Sequence, residues 1–267
     1  MLAILLSLAA VAAEGRSQVE SPPAAVAPTE PTRKAPAPKL DPGLTEAFRF
    51  VKAGRFAEAR RAVEGYLASG QAAHPGQAEF VIGLSYHRPQ LYESARTHFA
   101  QAIALEPEYV TAYFFYGFTL FNLGRLDEAK QAFETYLARG PEDPEAVFGL
   151  GLVALEEDRV DDAERSFRRA IALAEARSAG GEMPAGLRED VARYQARLGD
   201  VYLRRDDLEQ ARAALQRSVD LWPDHFEPWH KLAQVLRRLG DAAGADRAQA
   251  RYEDALRRRT AKGRVTP

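Results

Sequence analysis

The residues able to do chemistry are few and scattered. The chain has five histidines, His74, His87, His98, His225 and His230, and no cysteine. None of the histidines falls in a His-Glu-x-x-His pattern or its reverse, the spacings that put two imidazoles on one helical face around zinc. His225 and His230 are five positions apart with Pro228 between them, so they need not share a face. Without cysteine there can be no disulfide, thiolate nucleophile, cysteine-held metal or covalent haem. A lipid-attached N-terminal cysteine is excluded too. Glu156-Glu157-Asp158 and Asp161-Asp162 are dense acids, but a helix start accounts for them, because acids favour the positive end of the helix dipole. A hydrolytic acid pair would need one carboxyl in an apolar pocket. No Gly-x-Gly-x-x-Gly, phosphate loop or Gly-x-Ser-x-Gly is present. These observations predict no catalytic residue, no metal ligand and no cofactor. The expected protein is not an enzyme and has no dedicated small-molecule substrate.

What does recur is structural. Gly54-Arg55-Phe56-Ala57-Glu58-Ala59 returns, with variation, at 90–95, 124–129, 158–163, 206–211 and 240–245. The closing alanines at 59, 95, 129, 163, 211 and 245 are 36, 34, 34, 48 and 34 apart. A period of about 34 residues marks a helical repeat array. In the clearest copy, Tyr113, Tyr116-Gly117 and Leu120 make one apolar stripe on a first helix. Asn122-Leu123-Gly124 breaks it, Asp127 and Glu128 start a second helix, and Ala129, Phe133 and Tyr136 form its apolar face. Gly140-Pro141 ends that helix, since proline cannot continue it. Small residues at Gly83, Gly117, Gly151, Gly199 and Ala233 fall in one column, facing the alanine column. The two columns predict close approach within each pair, and stacking must then bury what one pair leaves open.

These residues resemble the tetratricopeptide repeat. Tyr113, Gly117, Gly124, Ala129, Phe133 and Pro141 carry the pattern best. Trp229 with Leu232, and Gln195 with Leu198-Gly199 and Tyr202, carry it in later copies. The resemblance covers about residues 43–259. It departs at the ends: Glu46-Ala47 replaces the Leu-Gly pair, and Gln249 stands where Phe is usual. The fold it implies is all-α, a right-handed superhelical solenoid of about six helix-turn-helix repeats. We place them at about 43–73, 76–109, 110–143, 144–177, 192–225 and 226–259. The 48-residue step is 34 plus 14, and Gly180-Gly181 with Pro184 predict that the excess is a loop at about 177–187.

The resemblance also implies a concave groove lined by the first helices, with a protein or peptide as partner. One family binding mode clamps a C-terminal carboxylate with Lys and Asn. Here those positions carry Phe80, Leu84, Phe114 and Phe118, so that clamp is not expected. The candidate groove residues form a second stripe: Phe80, Leu84 and His87; Phe114, Phe118 and Phe121; Phe148, Leu152 and Leu155. An ordinary surface helix has one apolar stripe; the helix at 110–122 has two. Three coverings compete for the second one: neighbouring first helices in a tight superhelix, an apolar or amphipathic partner segment, or the chain's own Pro-Ala segment. Later copies turn polar. Arg193, Arg197, Lys231 and Arg237 are candidate contacts for an acidic stretch, against the alternative of solvated helix flanks.

Net charge is −2 overall, which does not point to nucleic acid. It is unevenly spread: residues 40–187 hold 15 basic and 22 acidic side chains, residues 188–267 hold 17 and 13. Residues 2–13 are an unbroken apolar run, too short for the roughly 20 residues a spanning helix needs. The run matches a secretory signal with cleavage after Ala13, although no Lys or Arg precedes it. A periplasmic or secreted protein is therefore expected, and an inner-membrane anchor if the run is retained; only then would the chain associate with a membrane. Residues 14–42, with seven prolines, read as a disordered linker, and 260–267 as a disordered tail. The expected role is an interaction scaffold or assembly adaptor of a bacterial cell-envelope complex. The alternative is a self-associating or membrane-tethered spacer without a dedicated ligand.

Overall fold

A computed structural model describes residues 39–70, 72–178 and 181–263. The apolar run, most of the linker and the end of the tail lie outside them. Among the described residues the structure is twelve α-helices in six antiparallel pairs, with no strand. The pairs are α1 (Thr45–Lys52) with α2 (Phe56–Ala68), α3 (Pro75–His87) with α4 (Tyr92–Leu105), and α5 (Thr111–Asn122) with α6 (Leu126–Arg139). Then follow α7 (Pro144–Glu156) with α8 (Val160–Ala176), α9 (Ala185–Arg204) with α10 (Leu208–Leu221), and α11 (Phe226–Arg238) with α12 (Ala242–Gly263). Each helix packs on its sequence neighbours, and α3, α5, α7 and α9 also touch in succession. This is a right-handed superhelical solenoid. None of the described helices is long and apolar enough to cross a membrane.

The turn within each pair is built the same way six times. One residue takes the left-handed conformation: Gly54, Gln90, Gly124, Asp158, Asp206 and Gly240, with φ between 57° and 84°. The next residue then donates its N–H to a carbonyl five positions back, as Arg55 to Phe50 and Arg125 to Leu120, both at 2.9 Å. That bond satisfies a carbonyl the ending helix would leave orphaned.

The small-residue column works by contact. A Cβ at Gly83 would lie 2.6 Å from the Phe99 ring, at Gly117 2.7 Å from Phe133, and at Gly151 2.5 Å from Phe167. At Gly199 it would lie 2.8 Å from Leu215. The four large side chains are wholly buried. In these four pairs the second helix thus drives a bulky residue onto bare backbone of its first helix. Gln249 takes the place of that residue opposite Ala233 in the last pair.

Three expected boundaries are corrected. The 14 extra residues are mostly helix: relative to its neighbours α8 runs on by three residues, α9 starts seven earlier, and the connection grows by four. Ala185, Gly186 and Leu187, expected in a loop, are helical; Leu187 and Met183 pack on the core and support the extension. At the N-terminus, Asp41 and Pro42 belong to the folded unit rather than the linker. Asp41 N–H donates to Gln77 at 2.6 Å, its carboxylate accepts from the Tyr66 hydroxyl at 3.1 Å, and Pro42–Leu44 form a short 3-10 helix. At the C-terminus α12 continues to Gly263, through residues expected to be tail.

Candidate functional site

The first helices of four successive pairs converge on one cleft of about 270 Å³. α5 supplies Phe118, Phe121 and Asn122, and α7 supplies Phe148 and Leu152. α9 supplies Arg193, Ala196, Arg197 and Asp200, while α11 and the residue before it supply Lys231, Glu227, Pro228 and His225. The apolar wall exists because α5 and α7 carry apolar residues on two faces, and stacking consumes only one. Phe118 sits edge-on to the buried Phe133 ring at 4.9 Å and leans on Phe114 at 5.1 Å, which fixes its direction. Phe118, Phe121 and Leu152 stay half-buried; Phe148 is 4% exposed and its ring lies tilted against Tyr194.

The opposite wall is ionic. Arg197 Nη1 lies 3.0 Å from Asp200 Oδ2, and Lys231 Nζ lies 2.5 Å from Asp200 Oδ1. Arg193 bridges Glu145 and, at 2.7 Å, Asp190. The Tyr194 hydroxyl donates to Glu145 at 2.9 Å. Burial pushes the Glu145 carboxyl up, against the opposing pull of Arg193 and Tyr194. Burial likewise holds His225 below the usual imidazole range, and its Nδ1 has no hydrogen-bond partner.

Seven of the residues singled out by sequence line this cleft: Phe118, Phe121, Phe148, Leu152, Arg193, Arg197 and Lys231. Others do not reach it. Phe80, Leu84 and Leu155 are buried, so they offer no open surface. Phe80 is enclosed by Phe99, Tyr109 and Phe115, all with ring centres within 5.8 Å. His87 is held by Thr119, Nδ1 to Oγ1 2.8 Å, among the Tyr92, Phe99 and Phe115 rings. Phe114 packs on Tyr136 beside the cleft, and Arg237 is exposed outside it. Neighbouring helices therefore cover the stripe in the second pair and only part of it in the third and fourth. Sequence reasoning did not single out Asp200 as a contact, although it falls on the same helical stripe as Arg193 and Ala196. Its double pairing depends on where α11 places Lys231, which no local pattern encodes.

The other histidines are dispersed: His74 faces Glu106, His98 faces Glu79, and His230 faces Gln234. With its walls of opposite character and its small volume, the cleft suits non-covalent recognition of one or two side chains. It is below the roughly 300–1,000 Å³ of small-molecule sites.

Comparisons agree with this architecture. No curated protein matches the sequence significantly. Among solved structures, the APC/C hetero-tetramer Cut9–Hcn1 aligns at 19% identity over 79% of this chain, with a TM-score of 0.65. This chain spans only 39% of that one. The type IV pilus biogenesis factor PilW aligns at 18% identity over 79% of this chain and 91% of its own, with a TM-score of 0.66. YrrB, a repeat protein described as having an unusual peptide-binding site, aligns at 17% over 72% and 90%, with a TM-score of 0.50. At these identities the likeness is one of fold. Family models for the tetratricopeptide repeat match residues 83–129, 119–179 and 192–235, more than half of the chain. Those segments contain the glycine column, four of the six left-handed turns and the first-helix cleft, and the chain belongs to the tetratricopeptide repeat family.

Proposed function

We propose that the protein is a non-catalytic scaffold that holds a segment of a partner protein in the cleft formed by α5, α7, α9 and α11. The observation that carries this reading is the half-buried apolar wall of Phe118, Phe121 and Leu152 on a face the array itself leaves open. A wholly buried aromatic removes about 150–250 Å² from water, and a docked segment would cover the part of these rings that the array leaves exposed. The family's typical use as an interaction scaffold supports the same reading. The setting we propose is the bacterial cell envelope, where the protein would serve as an assembly adaptor. The apolar run at 2–13 supports export, and the described likeness to a pilus biogenesis factor is compatible with it.

A photo-crosslinking residue at Phe121 in intact cells tests the reading, with the same residue at Arg165 on α8 as control. A discrete adduct with one envelope protein at 121 and none at 165 is expected. Equal labelling at both positions, or none at 121, sinks the reading. An adduct between two copies of the chain would favour a self-associating spacer instead.

A further inference from the structure

We propose that the cleft recognises a partner segment presenting a bulky apolar side chain next to a carboxylate, with Asp200 setting the strength of that recognition by occupying the cations the incoming carboxylate needs. This rests on the reading that the cleft holds a protein segment, and adds its chemistry.

The two walls face each other across about 270 Å³, so one short stretch of chain meets both. The apolar wall takes the bulky side chain. On the ionic wall the charges do not match. Arg197 and Lys231 converge on a single carboxylate, one on each oxygen, and the Asp200 side chain is only 16% exposed. Two cations share one anion there. Arg193 is different, because Glu145 and Asp190 both face it. Burial holds His225 below the usual imidazole range, and Glu227 stands exposed at the rim, 4.0 Å from the His225 ring. The wall as a whole carries three cations and four acids, so the positive surplus is local, at Arg197 and Lys231 on Asp200 beside the apolar wall. An apolar neighbour lowers the local dielectric and strengthens an ionic contact made there. A partner carboxylate meets a favourable field, a partner lysine an unfavourable one, and like-charge juxtaposition selects strongly against wrong partners. Asp200 competes for both cations while the cleft is empty. Its removal should expose two cations to the partner's one acid.

Three fluorescent synthetic peptides test this with the full chain. They share one Phe/Leu pattern and differ only in flanking residues, which are Glu, Gln or Lys. By anisotropy the Glu peptide should bind about tenfold more tightly than the Gln peptide, and the Lys peptide more weakly than either. Raising salt should erase the difference, because exposed charges are screened. Asp200→Asn should tighten Glu-peptide binding several-fold and leave the Gln peptide unchanged, while Arg197→Gln with Lys231→Gln should remove the preference. Circular dichroism confirms that each variant folds. Equal binding of Glu and Gln peptides overturns the charge assignment but leaves an apolar docking cleft intact. A weaker Glu-peptide complex with Asp200→Asn overturns the role of Asp200. Failure of all three peptides overturns the proposal, and crosslinking at 121 then decides separately whether the cleft binds protein at all.

Discussion

The six equivalent turns make an internal experiment, because three use glycine and three do not. A residue with a Cβ in the left-handed region costs roughly 1–2 kcal/mol, whereas glycine there loses about 0.5–1 kcal/mol of extra chain entropy on folding. Gln90 has φ 66°, and its side chain is exposed. Gln90→Gly should therefore stabilise the array, by roughly 0.5–1 kcal/mol. Gly124→Ala should destabilise it by roughly 1 kcal/mol or more, although a Cβ there has open space around it, because only the dihedral objects. Asp158→Gly should fall between the two. It relieves strain at φ 57° but loses the pair with Arg204 at 3.1 Å. The Asp158 side chain is 82% exposed, so solvent screening limits that pair to about 0–1 kcal/mol. Urea unfolding followed by circular dichroism, with the slope unchanged between variants, reads the differences. In a chain of this size 1 kcal/mol shifts the melting temperature by about 2–4 °C. If Gln90→Gly destabilises, or Gly124→Ala is neutral, left-handed strain is not what selects the residue at these turns.

Other predictions follow from contacts already described. Gly117→Ala should destabilise by about 1–3 kcal/mol, because its Cβ would meet the enclosed Phe133 ring at 2.7 Å; urea titration measures it. Phe114→Ser with Phe118→Ser should abolish partner capture and keep helicity by circular dichroism, whereas global unfolding would assign these rings to the core. Burial pushes the Tyr109 and Tyr136 phenols up to about 12 from 10. Both favour the neutral folded form, so stability is full below pH 10 and falls as pH rises toward 12, by on the order of 2 kcal/mol per tyrosine. Urea titrations at pH 8, 10 and 11.5 should show the decline begin only above pH 10, and Tyr109→Phe should blunt it.

Much of the fold was legible in the sequence because repeats average out local ambiguity. A glycine at 117 alone says little; at 83, 117, 151 and 199 in one register it announces four bare backbones, and each is met by Phe99, Phe133, Phe167 or Leu215. The turns were legible for the same reason, even where Gln90 and Asp158 replace glycine. The helix boundaries of the long fourth connection were not. Gly180-Gly181 and Pro184 mark a break but not its length, and Gly186, with open space around it, is tolerated in the first turn of α9. At the cleft, the second apolar stripe was visible, yet which of its members stay open depends on how closely α3, α5 and α7 stack. That is why Phe80 ended enclosed in rings while Phe121 did not. Asp200 shows the remaining gap: its two partners lie three and 31 residues away, and only curvature brings the second one in.

The lengthened α8 and α9 carry one more consequence. In a repeat array every unit resembles its neighbours, so a folding chain can pair a helix with the wrong copy, and misassembly of this kind is a characteristic failure of such proteins. α8 exceeds α6 and α10 on either side of it by three residues and α9 exceeds α7 and α11 by seven, and each extension buries a further side chain, Ala174 on one and Val191 on the other. Where one pair meets the next, only here are both facing helices lengthened. A chain that tried α8 against α11 would leave the extra turns without a mate. The pair thus serves as a key cut for one lock, marking the middle of the array and dividing six near-identical units into a set of four and a set of two that cannot be exchanged.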